Sequence, residues 1–307
     1  MLSDTPGVHH VSGMVGDAQR NVDFYAGALG LRFLVRTVNF QDKFSYHLYY
    51  GDRAGTPGTV LTSFVYPGQV PGRDGKPTIS AAHLAVPTGS LDWWATRLDA
   101  RDVETGSLET RLGEDALTVF DPAGTRLELV EREVGIDAEP FTERVPEERA
   151  VRGVSGVSVR SASPYVTASL LETLGFEHAG EEDERVRYRA DERDTAVDLL
   201  TGEADYGREG TGSIHHLALS VGSLDELEEW RDLLDERGFD VSRVKDRHFF
   251  HSLYVRDAGG VLFELATEKP GLEIDPKGRP GDELFLPPWF EEDREMIEPQ
   301  LPPLEAP

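Results

Sequence analysis

The sequence predicts an α+β fold of four βαβββ modules, arranged in two tandem domains whose strands pair into cupped mixed β-sheets. Two gapless internal matches are the basis of this prediction. AAHLAVPTGSLDWW at 81–94 matches IHHLALSVGSLDEL at 214–227, and DPAGTRLEL at 121–129 matches DAGGVLFEL at 257–265. Because internal similarity at a fixed spacing indicates duplicated structural units, we expect the second half of the chain to repeat the first.

Domain boundaries follow from the same matches. A charged, Pro-containing segment, EPFTERVPEERAVRG at 139–153, separates the two halves. We expect an N-terminal domain over residues 1–140 and a C-terminal domain over residues 150–270, each made of two modules. Residues 271–307 are rich in proline and acidic residues, and we expect them to form a tail that packs on both domains.

Modules one and two each read as a strand, a helix and further strands. Module one contains the strand VHHVSGMV, the helix DAQRNVDFYAGALGL at 17–31 and the strands RFLVRTVNF, YHLYYGD and TVLTSFVYP. Apolar residues at helical spacing mark one face of this helix, and Gly30 ends it. Module two contains the strand HLAV, the helix SLDWWATRLDARD and strands around ALTVFDP and TRLELVE.

Modules three and four repeat this order. Module three has the weakest sequence pattern of the four. It contains the strand VSGVSVR, the helix PYVTASLLETLGF and the strands RVRYRA and AVDLLTG. Module four contains the strand IHHLALSV, the helix SLDELEEWRDLLDERGF and the strands HSLYVRD and VLFELATE. A capping box of Ser223 and Glu226 starts the helix of module four, and Gly238 ends it. Its predicted buried stripe consists of Leu224, Leu227, Trp230 and Leu234.

The charge is strongly acidic, with 57 Asp and Glu against 31 Lys and Arg and a net charge of −26. Nucleic acid and anionic membranes repel such a surface, and no apolar run reaches the about 18 residues that span a bilayer. The first ten residues lack the basic and apolar regions of a signal peptide. We therefore expect a cytoplasmic protein with neither kind of partner. Because the carboxylates are spread along the chain, salt adaptation is favoured over an acidic tail.

The chain contains no cysteine, which excludes disulfides, zinc–thiolate sites, iron–sulfur clusters and a thiol nucleophile. Any metal must therefore be bound by histidine, carboxylate and water. The sequence has no Gly-rich phosphate loop of the G-x-G-x-x-G or Walker type and no G-x-S-x-G elbow. Nothing in it indicates a nucleotide cofactor.

The dipeptide His-His occurs twice, each time at the start of an apolar run, in GVHHVSGMV at 7–15 and SIHHLALSV at 213–221. A third run, GGVLFELAT at 259–267, places Glu264 among apolar residues, where a carboxylate is costly unless it is paired or bound to a metal. Two imidazoles and one carboxylate form the facial triad typical of Fe(II), with Mn(II) next. Side chains alternate along a regular strand, so the two histidines of a pair cannot both face one site.

The four modules, with candidate ligands on the first and last strands, resemble the vicinal oxygen chelate superfamily. That superfamily includes glyoxalase I, extradiol dioxygenases and the fosfomycin- and bleomycin-resistance proteins. Four blocks resemble the hydroquinone-type ring-cleaving dioxygenases more specifically: TVNFQDKFSYHLYYGD at 37–52, GTPGTVLTSF at 55–64, DRHFFHSLYVRDAGGVLFELAT at 246–267 and LPPWFEEDREMIEPQLPPL at 286–304. The resemblance covers nearly the whole chain.

The resemblance implies that His10, His216 and Glu264 bind Fe(II), with Mn(II) as the alternative. The implied function is a non-haem Fe(II)-dependent dioxygenase that inserts O₂ into a hydroquinone-like or catechol-like ring. Its partners would be the small aromatic substrate and O₂. We also expect a homo-oligomer, whose number of subunits does not follow from the sequence.

The resemblance also implies catalytic residues around the metal. Arg247 would hold an anionic oxygen of the substrate, and Tyr254 would form a hydrogen bond with a ring hydroxyl or with the reduced oxygen. His9 and His215 would surround the ligands. The alternative interpretation is structural, with Arg247 paired to nearby acids and Tyr254 part of the core.

Two other functions remain open at this point. A glyoxalase-type isomerase or lyase would use Zn²⁺ or Ni²⁺, but such sites usually contain two carboxylates, and only Glu264 is well placed. A metal-free module that sequesters drugs would need no ligands in register. His83 and Glu128 occupy the equivalent positions in the other half, but Gly156 stands where a second histidine is needed and Asp198 is the remaining candidate. We interpret this second set as vestigial or structural.

The candidate ligands come from modules one and four, which are far apart in sequence. For them to meet, module one must pair with module four in one cup, and module two with module three in the other. A separation of more than about 6 Å between His10 and both other ligands would contradict the metal site, because metal–ligand bonds are near 2 Å.

Overall fold

The computed structural model describes residues 2–272, 278–279 and 281–306 of the 307-residue chain. Module one contains strands β1 (Val8–Val15), β2 (Arg32–Asn39), β3 (Asp42–Gly51) and β4 (Val60–Val65). Its helix α1 (Ala18–Val22) starts at the side-chain cap of Asp17 and continues as a π-helix over Asp23–Ala28. The predicted helix therefore exists, but it widens in its second half.

Modules two and three follow the same plan. Module two contains β5 (Thr78–Val86), α2 (Leu91–Asp99), β6 (Thr105–Arg111), β7 (Glu114–Phe120) and β8 (Arg126–Glu131). A 3₁₀ turn at Glu147–Arg149 lies between the modules. Module three contains β9 (Gly153–Arg160), α3 (Pro164–Thr173), β10 (Glu177–Glu182), β11 (Arg185–Ala190) and β12 (Thr195–Leu200).

Module four contains β13 (Ile214–Val221), α4 (Leu224–Glu236), β14 (Asp240–Val241), β15 (Lys245–Asp246), β16 (Phe250–Arg256) and β17 (Leu262–Pro270). The C-terminal segment forms 3₁₀ turns at Pro288–Asp293 and Glu298–Gln300 around α5 (Arg294–Ile297). No helix in the described part of the chain is long and apolar enough to cross a membrane.

The strands form two cups that each combine modules from both halves of the chain. One cup has the strand order β2-β3-β4-β1-β13-β17-β16, and the other has the order β6-β7-β8-β5-β9-β12-β11-β10. A bridge between Ile79 and Ile214 joins the cups. The predicted fold, with module one beside module four, is confirmed. The predicted domain limits at 1–140 and 150–270 stay a prediction.

Four strands were not predicted from the sequence: the two-residue β14 and β15 of module four, and the longer β6 and β10. β6 (TGSLETR) and β10 (EHAGEE) lie at the outer ends of the second cup, and their residues are mostly exposed. An edge strand that faces solvent buries no apolar face, so it shows no alternation of apolar and polar residues. These two strands complete the βαβββ pattern of modules two and three.

Most of the prediction for the helix of module four is confirmed. Ser223 Oγ accepts a hydrogen bond from Glu226 N, but the Glu226 carboxylate accepts from Gly222 N rather than from the cap residue. Leu227, Trp230 and Leu234 are buried, as predicted. Leu224 is 40% exposed, so its assignment to the buried stripe was wrong. As the first residue of the helix, it has no preceding turn that would cover it.

The C-terminal segment packs against module one. Phe285 N donates to Arg36 O at 2.8 Å, and Arg36 Nη2 donates to Leu304 O at 2.6 Å. Lys43 Nζ lies 2.6 Å from Asp293 Oδ2. These contacts hold the segment against β2 and β3, two strands of the cup that contains the candidate ligands. The predicted tail at 271–307 begins with residues that lie partly outside the described ranges.

Candidate metal centre

Strand register brings the three predicted ligands to one face of the first cup. His10 of β1 and Glu264 of β17 are both register partners of Ala218 on the central strand β13. His216 precedes Ala218 by two residues, so its side chain points to the same face of the sheet. One strand of module one and two strands of module four therefore direct their side chains to a common point.

The three side chains are close together and buried. His216 Nε2 lies 2.7 Å from Glu264 Oε2, and His10 Nε2 lies 3.5 Å from the same oxygen. The two Nε2 atoms are 3.3 Å apart. None of the three residues is more than 3% exposed. The separation of 6 Å that would have contradicted the site is not found.

The neighbouring histidines lie at β-bulges. The register of β1 and β13 slips at His9 and again at His215, so each is an extra residue in its strand. A bulge redirects the extra side chain. As a result His9 Nδ1 lies 2.9 Å from His10 Nδ1, and His215 Nδ1 lies 2.7 Å from His216 Nδ1. Strict alternation along these strands, which the sequence analysis assumed, does not hold here.

These Nδ1–Nδ1 hydrogen bonds determine which ring nitrogen of each candidate ligand carries the hydrogen. Burial and the adjacent His10 hold the pKa of His9 well below its ordinary value. Burial and His216 lower the pKa of His215 to about 3. A neutral neighbour can accept the Nδ1 hydrogen of His10 or His216, which leaves the Nε2 lone pair of each free to bind a metal.

The donor set fits a divalent cation. Burial alone would raise the pKa of Glu264, but His216 and His10 hold it well below its ordinary value, so the carboxylate is charged. Neither of its oxygens has a hydrogen bond of good geometry. Two imidazole lone pairs and one carboxylate thus converge in a buried space, and the ligand atoms all lie within 4.8 Å of one another. Such a set could hold a divalent cation between its members.

Arg247 and Tyr254 lie beside this point. Tyr254 of β16 is the register partner of Glu264, and Arg247 Nη2 donates a hydrogen bond to Tyr254 Oη at 2.9 Å. Burial and the Glu264 charge raise the pKa of Tyr254, which keeps the phenol protonated. Lys245 Nζ lies 4.8 Å from the centre of the Tyr254 ring. The two residues are paired with each other rather than merely packed in the core.

A cavity of about 20 Å³, with room for about one water molecule, lies between these side chains. His10, His216, Glu264, Arg247 and Tyr254 all line it. The cavity wall also includes seven residues that were not predicted from the sequence: Ser12, Asn39, Phe40, His47, Tyr49, Phe64 and Phe250. The alternation in SYHLYY of β3 places two of them on one face, but in sequence this pattern is the same as that of aromatic core residues.

Among the described residues, the second cup contains no comparable arrangement. His83 Nε2 lies 3.0 Å from Glu128 Oε2, and Glu128 also contacts the guanidinium groups of Arg111 and Arg126. Although burial would raise it, these neighbours lower the pKa of Glu128 to about 2. Arginine thus supplies the positive charge in this cup.

The remaining positions of the second cup are closed to a metal as well. Gly156 is the register partner of His83, but a Cβ at Gly156 would lie 2.0 Å from Ala196 O and the residue has φ +153°. Asp198 is paired with Arg185 and Arg187 at 2.7 Å each. Over the described ranges, His10, His216 and Glu264 form the one group with metal-binding geometry. The structural interpretation of the second set is therefore favoured.

Comparison with known proteins gives a consistent result over the whole chain. The Bacillus subtilis (strain 168) protein named "Putative ring-cleaving dioxygenase MhqO" is 38% identical over 310 residues, which cover 100% of this chain and 99% of its own. The "Chlorohydroquinone/hydroquinone 1,2-dioxygenase" of Sphingobium indicum is 30% identical over 93% of this chain and 92% of its own.

Solved structures show the same relationship. The crystal structure of a "putative dioxygenase" from Bacillus subtilis matches with a TM-score of 0.94 and 37% identity over 99% of both chains. Glyoxalase I from Zea mays shares the fold, with a TM-score of 0.62 and 14% identity over 85% of this chain and 92% of its own. The family model for the Glyoxalase/Bleomycin resistance protein/Dioxygenase superfamily matches residues 7–129 and 170–265. This chain belongs to that superfamily.

Proposed function

We propose that this protein is a ring-cleaving dioxygenase that uses Fe(II), or alternatively Mn(II), to insert O₂ into a hydroquinone-like or catechol-like ring. The observation that carries this proposal is the buried convergence of His10, His216 and Glu264 beside the Arg247–Tyr254 pair. Full-length relatives support the reaction class, since one is named as a hydroquinone 1,2-dioxygenase.

His10, His216 and Glu264 would hold the metal. When bound, the metal lets electrons pass from the electron-rich ring to O₂ while both reactants are held next to each other. His9 and His215 act as positioning residues, because their Nδ1 hydrogen bonds orient the two imidazoles toward the metal.

Arg247 and Tyr254 would act on the substrate. The Arg247 guanidinium carries a permanent positive charge and can hold an anionic ring oxygen. Since Tyr254 Oη already accepts a hydrogen bond from Arg247, its own hydrogen is available to an oxygen in the cavity. Such a donor stabilises the charge that develops as oxygen is reduced.

The aromatic wall suits a small ring but must open to admit it. Phe40, Phe64 and Phe250 line the cavity, and aromatic side chains pack favourably against an aromatic substrate. The present volume has room for about one water molecule. Binding therefore requires some of these side chains to turn away.

The two alternatives fit less well. A glyoxalase-type isomerase would need a second carboxylate, and Glu264 is the only acidic residue among the described residues that line the cavity. A metal-free binding module would have no need for two histidines and a carboxylate whose ligand atoms all lie within 4.8 Å of one another.

Metal analysis of anaerobically purified protein, followed by oxygen uptake with a panel of hydroquinones and catechols, tests the proposal. We expect about one iron or manganese per chain and O₂ consumption that depends on the ring. Zinc or nickel content with isomerase activity would support the glyoxalase type. Substrate binding without metal would support the binding module.

We also propose that the acidic composition is an adaptation to concentrated salt, on the basis of the net charge of −26. Thermal unfolding at low and high salt tests this, since equal stability in both would contradict it. The homo-oligomer and the cytoplasmic location stay predictions, for which sedimentation and cell fractionation are the measurements.

A further inference from the structure

Four polar side chains form a continuous hydrogen-bonded chain beside the cavity. Ser12 Oγ lies 2.7 Å from Thr62 Oγ1, and Thr62 Oγ1 lies 2.8 Å from His47 Nε2. His47 Nδ1 lies 3.1 Å from Tyr49 Oη. We call this set, Ser12, Thr62, His47 and Tyr49, the β1–β4–β3 network. The mechanism above gives it no role.

Sheet register holds the network in place. Ser12 and Thr62 are partners in the parallel ladder of β1 and β4, and Thr62 and Tyr49 are partners in the antiparallel ladder of β4 and β3. His47 precedes Tyr49 by two residues on the same face. Its ring stacks on Phe64, with a centroid separation of 4.1 Å. The network is therefore fixed by backbone pairing across three strands.

Both ends of the network border the cavity that contains the candidate ligands. Ser12 and Tyr49 line the cavity together with His10, His216 and Glu264. Ser12 is 0% exposed and Tyr49 is 3% exposed, so bulk water does not reach either end. A proton that enters the network at one end can therefore leave it at the other end, still inside the cavity.

Because neutral histidine has two tautomers, the hydrogen bonds of the network can all run in either of two directions, which we call its two polarities. In one, Tyr49 donates to His47 Nδ1 and the Nε2 hydrogen is donated to Thr62, which donates to Ser12. The Ser12 hydrogen is then available to the cavity. In the other, every bond is reversed and the Tyr49 hydrogen is available. The two states differ only in the tautomer of a neutral His47, whose pKa burial and His10 hold well below its ordinary value.

We propose that the β1–β4–β3 network is a proton relay that carries a proton from a hydroxyl of the aromatic substrate to the oxygen co-substrate. The proposal rests on the proposed dioxygenase function. It assigns Tyr49 and Ser12 as the residues that contact the reactants, with His47 and Thr62 between them.

The transfer balances without any further reagent. The ring hydroxyl gives its proton to Tyr49 as the Tyr49 proton passes to His47 Nδ1. The Nε2 proton of His47 passes to Thr62, and the Thr62 proton passes to Ser12. Ser12 gives its proton to the oxygen co-substrate as that oxygen takes up electrons from the ring. Each residue ends with the number of protons it began with, and the network is left in the opposite polarity.

The decisive variants break the relay without changing the shape of the cavity. Thr62→Val removes the central hydroxyl, and Thr62→Ser restores it. We expect Thr62→Val and Tyr49→Phe to keep the metal and to lose about a hundredfold in kcat, the usual contribution of one proton-transfer step. Thr62→Val should also keep the KM, because Thr62 does not contact the substrate. We expect Thr62→Ser to recover most of the rate. Tyr46→Phe is the matched control, since its hydroxyl donates to Pro302 O on the opposite face of β3.

A second measurement is independent of turnover. In anaerobic, zinc-loaded protein labelled with ¹⁵N-histidine, hydroquinone binding should change the tautomer ratio of His47, which the His47→Gln spectrum identifies. Thr62→Val should abolish that change. A wild-type tautomer ratio that hydroquinone does not alter, or wild-type turnover in both Thr62→Val and Tyr49→Phe, would overturn the relay. Lack of O₂ uptake by the wild-type protein would instead refute the proposed function.

Discussion

Glu264 and Glu128 occupy equivalent positions in the two cups, yet Glu264 faces two histidines whereas Glu128 faces one histidine and two arginines. A buried carboxylate needs a compensating positive charge in either case. In the second cup arginine provides it. In the first cup two imidazoles face the carboxylate, and the three residues together could hold a cation that supplies the charge. This difference makes the first cup, rather than the second, the candidate metal site.

Replacing a candidate ligand should remove the metal. We expect His10→Ala, His216→Ala and Glu264→Ala each to fold but to lose the metal, because two remaining donors retain a labile divalent ion poorly. Metal content per chain, measured after anaerobic purification, checks this. His83→Ala removes the equivalent histidine of the second cup and should keep the metal. Wild-type metal content in any of the three ligand variants would exclude that residue from the site.

The Arg247–Tyr254 pair should affect the substrate rather than the metal. We expect Tyr254→Phe to bind metal and substrate normally and to lower kcat, because the lost hydroxyl acts mainly as charge develops. Arg247→Ala should weaken anaerobic substrate binding by more than tenfold, the order expected for the loss of a charge-assisted hydrogen bond. Turnover at the wild-type rate in Tyr254→Phe would show that the hydroxyl has no role in the reaction.

The sequence predicted much of this site because its signals are local. His10, His216 and Glu264 stand in apolar runs, and the internal repeats place those runs on equivalent strands. The bulges at His9 and His215 were not predictable, because a one-residue slip between two strands depends on the partner strand and leaves no mark in either sequence. His47 and Tyr49 were missed because alternating aromatic residues on a strand are also the pattern of an ordinary core.

The charge network of the second cup should make stability depend on pH. The folded-state pKa of Glu128 is lowered from 4.5 to about 2, so its contribution is complete above about pH 4.5 and declines as the pH falls toward 2. A shift of this size corresponds to about 3 kcal/mol. We expect Glu128→Gln to destabilise the protein by roughly that amount at pH 7, and to differ less and less from wild type below pH 4.5.

Denaturant unfolding of both proteins from pH 7 down to the lowest pH at which they fold measures this difference. Glu109→Gln is a suitable control. Its carboxylate is about half exposed and lies as far as 3.8 Å from Arg111, and an exposed ion pair of this kind contributes little to stability. A difference between wild type and Glu128→Gln that stays constant down to pH 3 would contradict the assigned pKa.

The pairing of modules across the chain makes the metal site depend on both halves. His10 lies on β1, whose ladder partner β13 belongs to the second half. Separation at about residue 150 would remove His216 and Glu264 from His10. It would also expose the edges of β1 and β5, which pair with β13 and β9 and would then be prone to aggregate. We expect residues 1–150 alone to bind no metal tightly, and binding to return when the two halves are refolded together. Tight metal binding by residues 1–150 alone would require a ligand set within the first half, with His83 and Glu128 as the first candidates.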